Sequence, residues 1–332
     1  MVEDIVTDLK KTAAAVAGET VVGIVGLGDM GAAIAKSILR GGFKLLAFDL
    51  RHQAVENLVA LGAHAADSLQ TLAQQCDVVC VVVVNDEQVN SVVGELFHTP
   101  GRMHTVIVSS TVLPSTMVDL AEKGREFNRH LIDAPVAGGG EKAALGLITV
   151  LAGGEQADVA WCWPILGAFG KNLFHVGPVG AGSAGKLVNN VLSLGGNILQ
   201  LEAMQLAVAY GISEDMATTF LAVSGGDSRG IRTWGRLERS RRGHTLSESG
   251  AIYEFCAKDV KSAAIAAGQR NISLPVTAGI GAMMVEKLKA RDKAVEAAGL
   301  ATPVPRCTIC DHELAAPYRQ AGVHPECTSL LD

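Results

Sequence analysis

Charge is scarce in this chain of 332 residues, and the basic sign is not in excess. Only 19% of residues are Asp, Glu, Lys or Arg, and the formal net charge is -6. A basic face of the kind that attracts nucleic acid or an anionic bilayer is therefore not expected. The N-terminus also lacks the basic stretch of a secretory signal, since "MVEDIVTDLKKTAAAVAGE" begins with acids. No uninterrupted apolar run of about 18 residues reads as a membrane span. These absences together predict a cytoplasmic protein with neither nucleic acid nor membrane as a partner. No internal repeat occurs at a fixed period, and the only low-complexity stretch is the Ala-rich extension at residues 1–19.

What is abundant is apolar: 48% of residues, enough to fill two cores in a chain longer than one core usually supports. From Thr20 to about Val176, short Val/Ile/Leu runs ("TVVGIVG", "KLLAFDL", "CDVVCVVVV") alternate with helix-like segments ("MGAAIAKSILRGG", "AVENLVALGA"). Unbroken β-branched runs suit strands buried on both faces, so the pattern predicts an α/β domain built on a doubly wound parallel sheet. Beyond Val176 the period becomes helical, at about Gly182–Tyr210, Met216–Val223, Ala257–Ala267 and Val276–Ala290, which predicts an all-α second domain. Lys186 and Glu202 are the only charges from Gly182 to Tyr210, so this long inter-domain helix is expected to be buried on nearly every side. The segment "SGGDSRGIRTWGRLERSRRGH" concentrates Arg and Gly and reads as a solvated loop and helix end rather than an anion-binding loop.

"VVGIVGLGDMG" places Gly26, Gly28 and Gly31 directly after a strand-like run and directly before a helix-like one. Strand, glycine turn and helix in that order form a dinucleotide-binding fingerprint: the turn needs glycine, and the helix start offers N–H groups and a positive dipole end to a pyrophosphate. Leu27, Asp29 and Met30 complete the turn. Asp49 ends the next strand, where a carboxylate accepts hydrogen bonds from a ribose diol and repels a 2'-phosphate. Asp49 therefore points to NAD; Leu50 follows it, and Arg51, a possible partner for that phosphate, keeps NADP open.

Lys186 lies on a helix with Gly182, Asn189 and Asn190 three or four residues away, hence on one face. An unperturbed lysine, near pKa ~10.4, is protonated at neutral pH, and burial lowers that value toward a working acid/base. Gly182 is expected to leave room for substrate or cofactor, and Asn190 to hold the lysine or a substrate hydroxyl. The alternative is a lysine that snorkels from a helix end. His130, His175 and His244 show no constellation with a carboxylate, and no Ser/His/Asp or paired-carboxylate arrangement stands out.

Of seven cysteines, Cys76, Cys80, Cys162 and Cys256 sit singly in apolar segments and read as buried thiols. The other three fall in "CTICDHELAAPYRQAGVHPEC", where Cys307, Cys310, His324 and Cys327 form two pairs, each separated by two residues. That spacing suits a closed Cys3His structural zinc site without an open catalytic position, with His312 a competing ligand. "ATPVP" reads as the linker before it.

Four stretches, "GIVGLGDMGAAIA", "SSTVLPST", "DAPVAGGGEKAALGLITVLAGG" and "GAGSAGKLVNN", together with "AKDVKSA", resemble in order the beta-hydroxyacid dehydrogenase family, which includes 3-hydroxyisobutyrate dehydrogenases and tartronate semialdehyde reductases. The resemblance runs from about Val21 to about Lys289. It implies an NAD-binding Rossmann domain over residues 20–181 and a helical substrate and dimerisation domain over 182–300; the zinc-type tail over 301–332 lies beyond the matched segment. The resemblance also implies a homodimer or homotetramer, and hydride transfer between NAD(P) and a small 3-hydroxy acid or its semialdehyde. By resemblance Lys186 is the catalytic acid/base and Asn190 its companion. Ser110 and Thr111 lie by nicotinamide and substrate, Gly138 and Gly139 in the substrate-carboxylate loop, and Lys258 and Asp259 form a pair of which Lys258 meets the cofactor.

Two positions depart from the family pattern. Ala137 stands where a serine usually precedes the paired glycines, which leaves backbone N–H groups to hold a carboxylate. Ala251 replaces a frequent aromatic. Imine reductases share this architecture but usually carry Asp or Tyr in place of the lysine, and a silent dinucleotide-binding scaffold would need neither Lys186 nor Asn190.

Overall fold

In the computed structural model the described residues are 14–138, 142–143, 145–235 and 252–297. The first half is one sheet with the strand order β3-β2-β1-β4-β5-β6-β8-β7, and β9 pairs with β8. β1 (Val21–Val25), β2 (Lys44–Phe48), β3 (His64–Ala65), β4 (Val78–Val81), β5 (Thr105–Val108) and β6 (His130–Asp133) run parallel. β7 (Val136–Ala137) and β6 are antiparallel to β8 (Ile148–Gly153), and β9 (Gly170–Gly177) is parallel to it. The helices α1 (Asp29–Arg40), α2 (His52–Val59), α3 (Leu69–Gln75), α4 (Asp86–His98), α5 (Pro114–Glu126) and α6 (Gln156–Phe169) connect the strands.

The continuous apolar runs are strands because alternate side chains enter separate cores. Val22, Ile24, Val78, Cys80 and Ile107 belong to one core cluster, while Val25, Val79, Val81, Val106 and Val108 belong to another. A period of two sends neighbours to opposite faces, so only an unbroken β-branched run fills both. Cys76, Cys80 and Cys162 are buried thiols, as expected, whereas Cys256 is only half-buried; burial pushes Cys76 and Cys80 up to about 12.

The strand order reverses between β1 and β4: β2 and β3 lie to one side of β1, and β4, β5 and β6 to the other. Such a switch point opens a crevice at the carboxyl ends of the strands, where α/β sheets bind ligands.

The chain divides into two compact units between Val188 and Asn189, seven residues beyond the boundary expected from the change of period. The division falls inside one long helix: α7 (Ala181–Asn190), a π turn at Val191–Gly195, and α8 (Gly196–Ala209). Among the described residues the second unit is all helical, with α9 (Glu214–Leu221), α10 (Arg229–Arg232), α11 (Ile252–Gly268) and α12 (Pro275–Ala297). Its core joins Ile198 and Leu201 of α8 to Ala257 and Val260 of α11 and Met284 and Leu288 of α12. Glu214 ties α9 to α12 through Arg291 and accepts Trp234 Nε1–H at 2.7 Å. Residues 224–235 form a capped surface turn in which Arg232 pairs with Asp227 and Ser228 Oγ accepts Ile231 N–H.

The long helix corrects two expectations. It is not buried on nearly every side: Val188, Leu192, Leu199 and Leu206 are exposed, at 63%, 74%, 54% and 62%. Residues Ala181–Ala209 are also long and apolar enough to cross a membrane by length and composition, and little of that stretch is buried within the protein. Both features arise from one apolar stripe, spaced four and seven residues apart, that no described residue covers.

Candidate active site

The glycine turn joins β1 to α1, and its three glycines do different work. Gly26 has φ +89°, a left-handed conformation, and a Cβ there would strike the Val82 carbonyl oxygen. A Cβ on Gly31 would strike the Gly26 carbonyl oxygen, so this glycine lets α1 close on the turn. A Cβ on Gly28 would meet nothing within 4 Å, and Gly28 begins the helix without any side chain to cap it. Open space before uncapped first-turn N–H groups is what a pyrophosphate requires. Asp29 and Met30 occupy that first turn.

Asp49, at the end of β2, holds the turn from the side. Its Oδ2 accepts Leu27 N–H at 2.6 Å, and Oδ1 accepts Arg51 N–H at 2.8 Å and Arg51 Nε–H at 3.1 Å. Burial pushes the Asp49 carboxyl up, but the hydrogen bonds from Arg51 and Leu27 outweigh it and keep the group below its ordinary value. Leu50 points outward and is 88% exposed.

Beyond β1 on the same edge, the loops after β4 and β5 are stitched together. Ser110 is buried, and its Oγ accepts Val83 N–H at 2.8 Å. Asp86 Oδ1 accepts Leu113 N–H at 2.9 Å and the Thr116 hydroxyl at 2.7 Å, bracketing Thr111 from the other side. Ser110 is thus engaged in shaping the loop that presents Thr111. Gly138, with φ +144°, follows β7, and a Cβ there would press on Ile148 Cγ2 at 2.9 Å. Gly139, the other half of that pair, lies outside the described residues, as do Ala251, His244 and the metal candidates Cys307, Cys310, His324 and Cys327.

α7 starts from this edge as well. Asp133, the last residue of β6, accepts Gly180 N–H on Oδ1 at 2.8 Å and Ser183 N–H on Oδ2 at 2.6 Å. Gly182 is packed rather than open: a Cβ would strike the carbonyl oxygens of Leu151 and Asp133. The space expected there for substrate is taken up by the strand ends, and the glycine serves the seating of the helix. Lys186 stands one turn further on, partly exposed, as the sole charge of α7.

In the second unit Asn190 is buried, and its Nδ2–H donates to Asp259 Oδ2 at 2.8 Å while its Oδ1 accepts from Asn189 at 3.1 Å. Lys258 Nζ is 3.2 Å from Asp259 Oδ1 and lies over the Phe255 ring. The Lys258–Asp259 pair and Asn190 therefore form one cluster, and the Asn190 amide is fixed by Asp259.

One histidine expectation needs revising and another holds. His130 does meet a carboxylate, Asp158 at 2.9 Å, but at the start of β6, the end of the strand opposite to the nucleotide crevice. His175 Nε2 lies 2.9 Å from the Gly154 carbonyl and 3.1 Å from that of Gly177, a structural clasp. The sequence pattern does not point to Asp133 or Asp86. Nothing local marks either one, because their partners are 47 and 27 residues away.

Residues 21–177 match the NAD binding domain of 6-phosphogluconate dehydrogenase, and residues 180–301 match the family described as NAD-binding of NADP-dependent 3-hydroxyisobutyrate dehydrogenase. An NAD-dependent L-serine dehydrogenase from Pseudomonas aeruginosa is 33% identical over 77% of this chain and 88% of its own length. The chain belongs to the beta-hydroxyacid dehydrogenase family. A second relative, 2-(hydroxymethyl)glutarate dehydrogenase of Eubacterium barkeri, is 33% identical over 77% of this chain and 85% of its own. The crystal structure of a 3-hydroxyisobutyrate dehydrogenase from Salmonella typhimurium superposes with a TM-score of 0.67 at 29% identity, covering 91% of this chain and 99% of that one. The cofactor is accordingly a nicotinamide dinucleotide, and the turn at Gly26–Gly31 fits it.

Proposed function

We propose that this member of the family oxidises a small primary 3-hydroxy carboxylate, or reduces the corresponding semialdehyde, with NAD in preference to NADP. The observation that carries the reading is the order of groups along one edge of the sheet. Asp49 stands at β2, the open glycine turn at β1, Thr111 at β5, and at β6 Asp133 seats the helix of Lys186. A dinucleotide laid across the switch point, ribose toward Asp49, directs its nicotinamide toward the Lys186 side.

When bound, the nicotinamide accepts or supplies the hydride. The protein's part is the proton. Lys186 in its neutral form takes the substrate hydroxyl proton as the alcohol becomes a carbonyl; in reduction the ammonium gives it back to the oxygen. Acid/base help of this kind contributes about 10²–10⁴-fold. Within the second unit, Asp259 fixes the Asn190 amide and pairs with Lys258. The backbone N–H groups at Gly138 and Gly139 hold the carboxylate, since Ala137 offers no hydroxyl.

The substrate class rests on chemistry shared by the named relatives. Serine, 2-(hydroxymethyl)glutarate and 3-hydroxyisobutyrate all present a hydroxymethyl group on the carbon that bears a carboxylate. NAD is favoured because the Asp49 charge repels a 2'-phosphate and because Arg51 is already paired with Asp49. The protein works as a homodimer in the cytoplasm, with the exposed stripe of the long helix as the subunit face. The paired ligands Cys307, Cys310, His324 and Cys327 hold one structural zinc, which metal analysis of the purified protein against Cys307→Ser tests; no zinc in the intact protein contradicts it.

The test of function is NADH formation with L-serine, 3-hydroxyisobutyrate and 2-(hydroxymethyl)glutarate. Turnover of at least one of them is expected, and turnover of none despite NAD binding contradicts the reading.

A further inference from the structure

We propose that Asp133 is a positioning residue for Lys186, gripping the first turn of α7 so that the lysine stands at a fixed height and rotation on the edge of the sheet. The proposal rests on the reading of Lys186 as the acid/base.

Most helix starts are capped by a short polar side chain adjacent in sequence. Gly180, just before α7, has no such side chain, and the task falls to a carboxylate 47 residues earlier. Asp133 uses both oxygens, one for Gly180 N–H ahead of the helix and one for Ser183 N–H inside the first turn. Two bonds to points on either side of the helix start fix rotation as well as position; a single cap fixes only one of these. Ser183 and Lys186 are three residues apart, neighbours on the helix surface, so any shift of the first turn is passed to the lysine.

The surroundings close the grip. A Cβ on Gly153 would collide with Asp133 Oδ1, Gly182 N and the Pro178 carbonyl, and a Cβ on Gly182 would collide with strand carbonyls and lie 3.0 Å from Asp133 Oδ2. The approach to the helix is braced too: Gly154 N–H donates to the Gly177 carbonyl at 3.0 Å, and His175 clasps the same two residues. Helix, carboxylate and strand ends thus have one way to fit together.

The arrangement also costs stability. Asp133 is completely buried, and burial pushes its carboxyl up to about 6 despite the N–H groups that favour its charge. A neutral local cap would hold a helix start without a buried charge. A buried carboxylate makes sense where placement matters more than stability.

The experiment compares wild type, Asp133→Asn, Ser183→Pro and Lys186→Ala in steady-state oxidation of the hydroxy acid that wild type turns over, together with NADH binding followed by fluorescence. Asn offers one acceptor and turns an amide toward the other N–H; Pro removes one donor from the helix side at a first-turn position that tolerates it. The expected result is a fall in kcat of about 10–100-fold for both, the scale of a misplacement near 1 Å, with NADH affinity within a factor of about two of wild type. Melting curves identify any variant that does not fold, and the other then carries the test. Unchanged kcat in Asp133→Asn beside an inactive Lys186→Ala overturns the proposal, as does an equal loss of kcat and NADH affinity. Full activity in Lys186→Ala overturns the acid/base reading and this proposal with it.

Discussion

At the level of the residue, one hydrogen-bonded carboxylate carries the proposed cofactor preference. Asp49, the proposed ribose contact, holds Leu27 N–H and Arg51. Replacing it with serine removes the charge that repels a 2'-phosphate and frees the guanidinium to pair with one. Asp49→Ser is therefore expected to lower the NAD over NADP ratio of kcat/KM by about 10-fold or more, the scale of one charge-assisted bond; an unchanged ratio contradicts the account. Asp133 yields a pH prediction. Its carboxyl moves from the ordinary 3.8 to about 6 on folding, so the folded protein holds this proton more tightly than the unfolded chain. The stability contributed by that group is present below about 3.8 and lost as pH rises to about 6. Melting temperatures of wild type and Asp133→Asn should diverge in the variant's favour across that window, and a constant gap would show that Asp133 does not titrate as described.

Elements were more legible than contacts. Strands buried on both faces, the glycine turn and the helical second unit follow from periods and composition because each depends on neighbours a few residues away. The Lys186 helix was legible as an element, but its seating was not. Asp133 with Ser183, and Asp259 with Asn190, join residues 50 and 69 apart, and no local pattern records such a bond. Gly182 was misread for the same reason, since a glycine looks alike in sequence whether the space beside it is empty or filled by a strand end. The glycine turn separates the two cases experimentally. Gly26→Ala meets both a left-handed φ and the Val82 carbonyl, so it should lower stability by about 1–3 kcal/mol. That corresponds to a fall in Tm of several degrees for a chain of this size. Gly28→Ala meets nothing and should leave Tm within about one degree, while weakening NADH binding where the pyrophosphate approaches. Equal effects on Tm would show that the turn does not divide its labour in this way.

At the level of the whole molecule, apolar surface remains on the long helix after both units have formed their cores. Val188, Leu192, Leu199 and Leu206 lie along one stripe, and a contiguous apolar face of this kind marks an interaction surface. On the proposed dimer, Leu192→Glu with Leu199→Glu is expected to shift the protein to monomer in sedimentation, and a variant that stays dimeric would place the subunit face elsewhere. The central claim is narrower: hydride transfer to NAD from a primary 3-hydroxy acid, with the proton taken by Lys186. The most direct measurement is kcat for NADH formation by wild type and Lys186→Ala at saturating hydroxy acid, with NADH affinity measured in parallel. A loss of about 10²–10⁴-fold in kcat with affinity preserved is the predicted result; a Lys186→Ala enzyme that turns over as fast as wild type would contradict it.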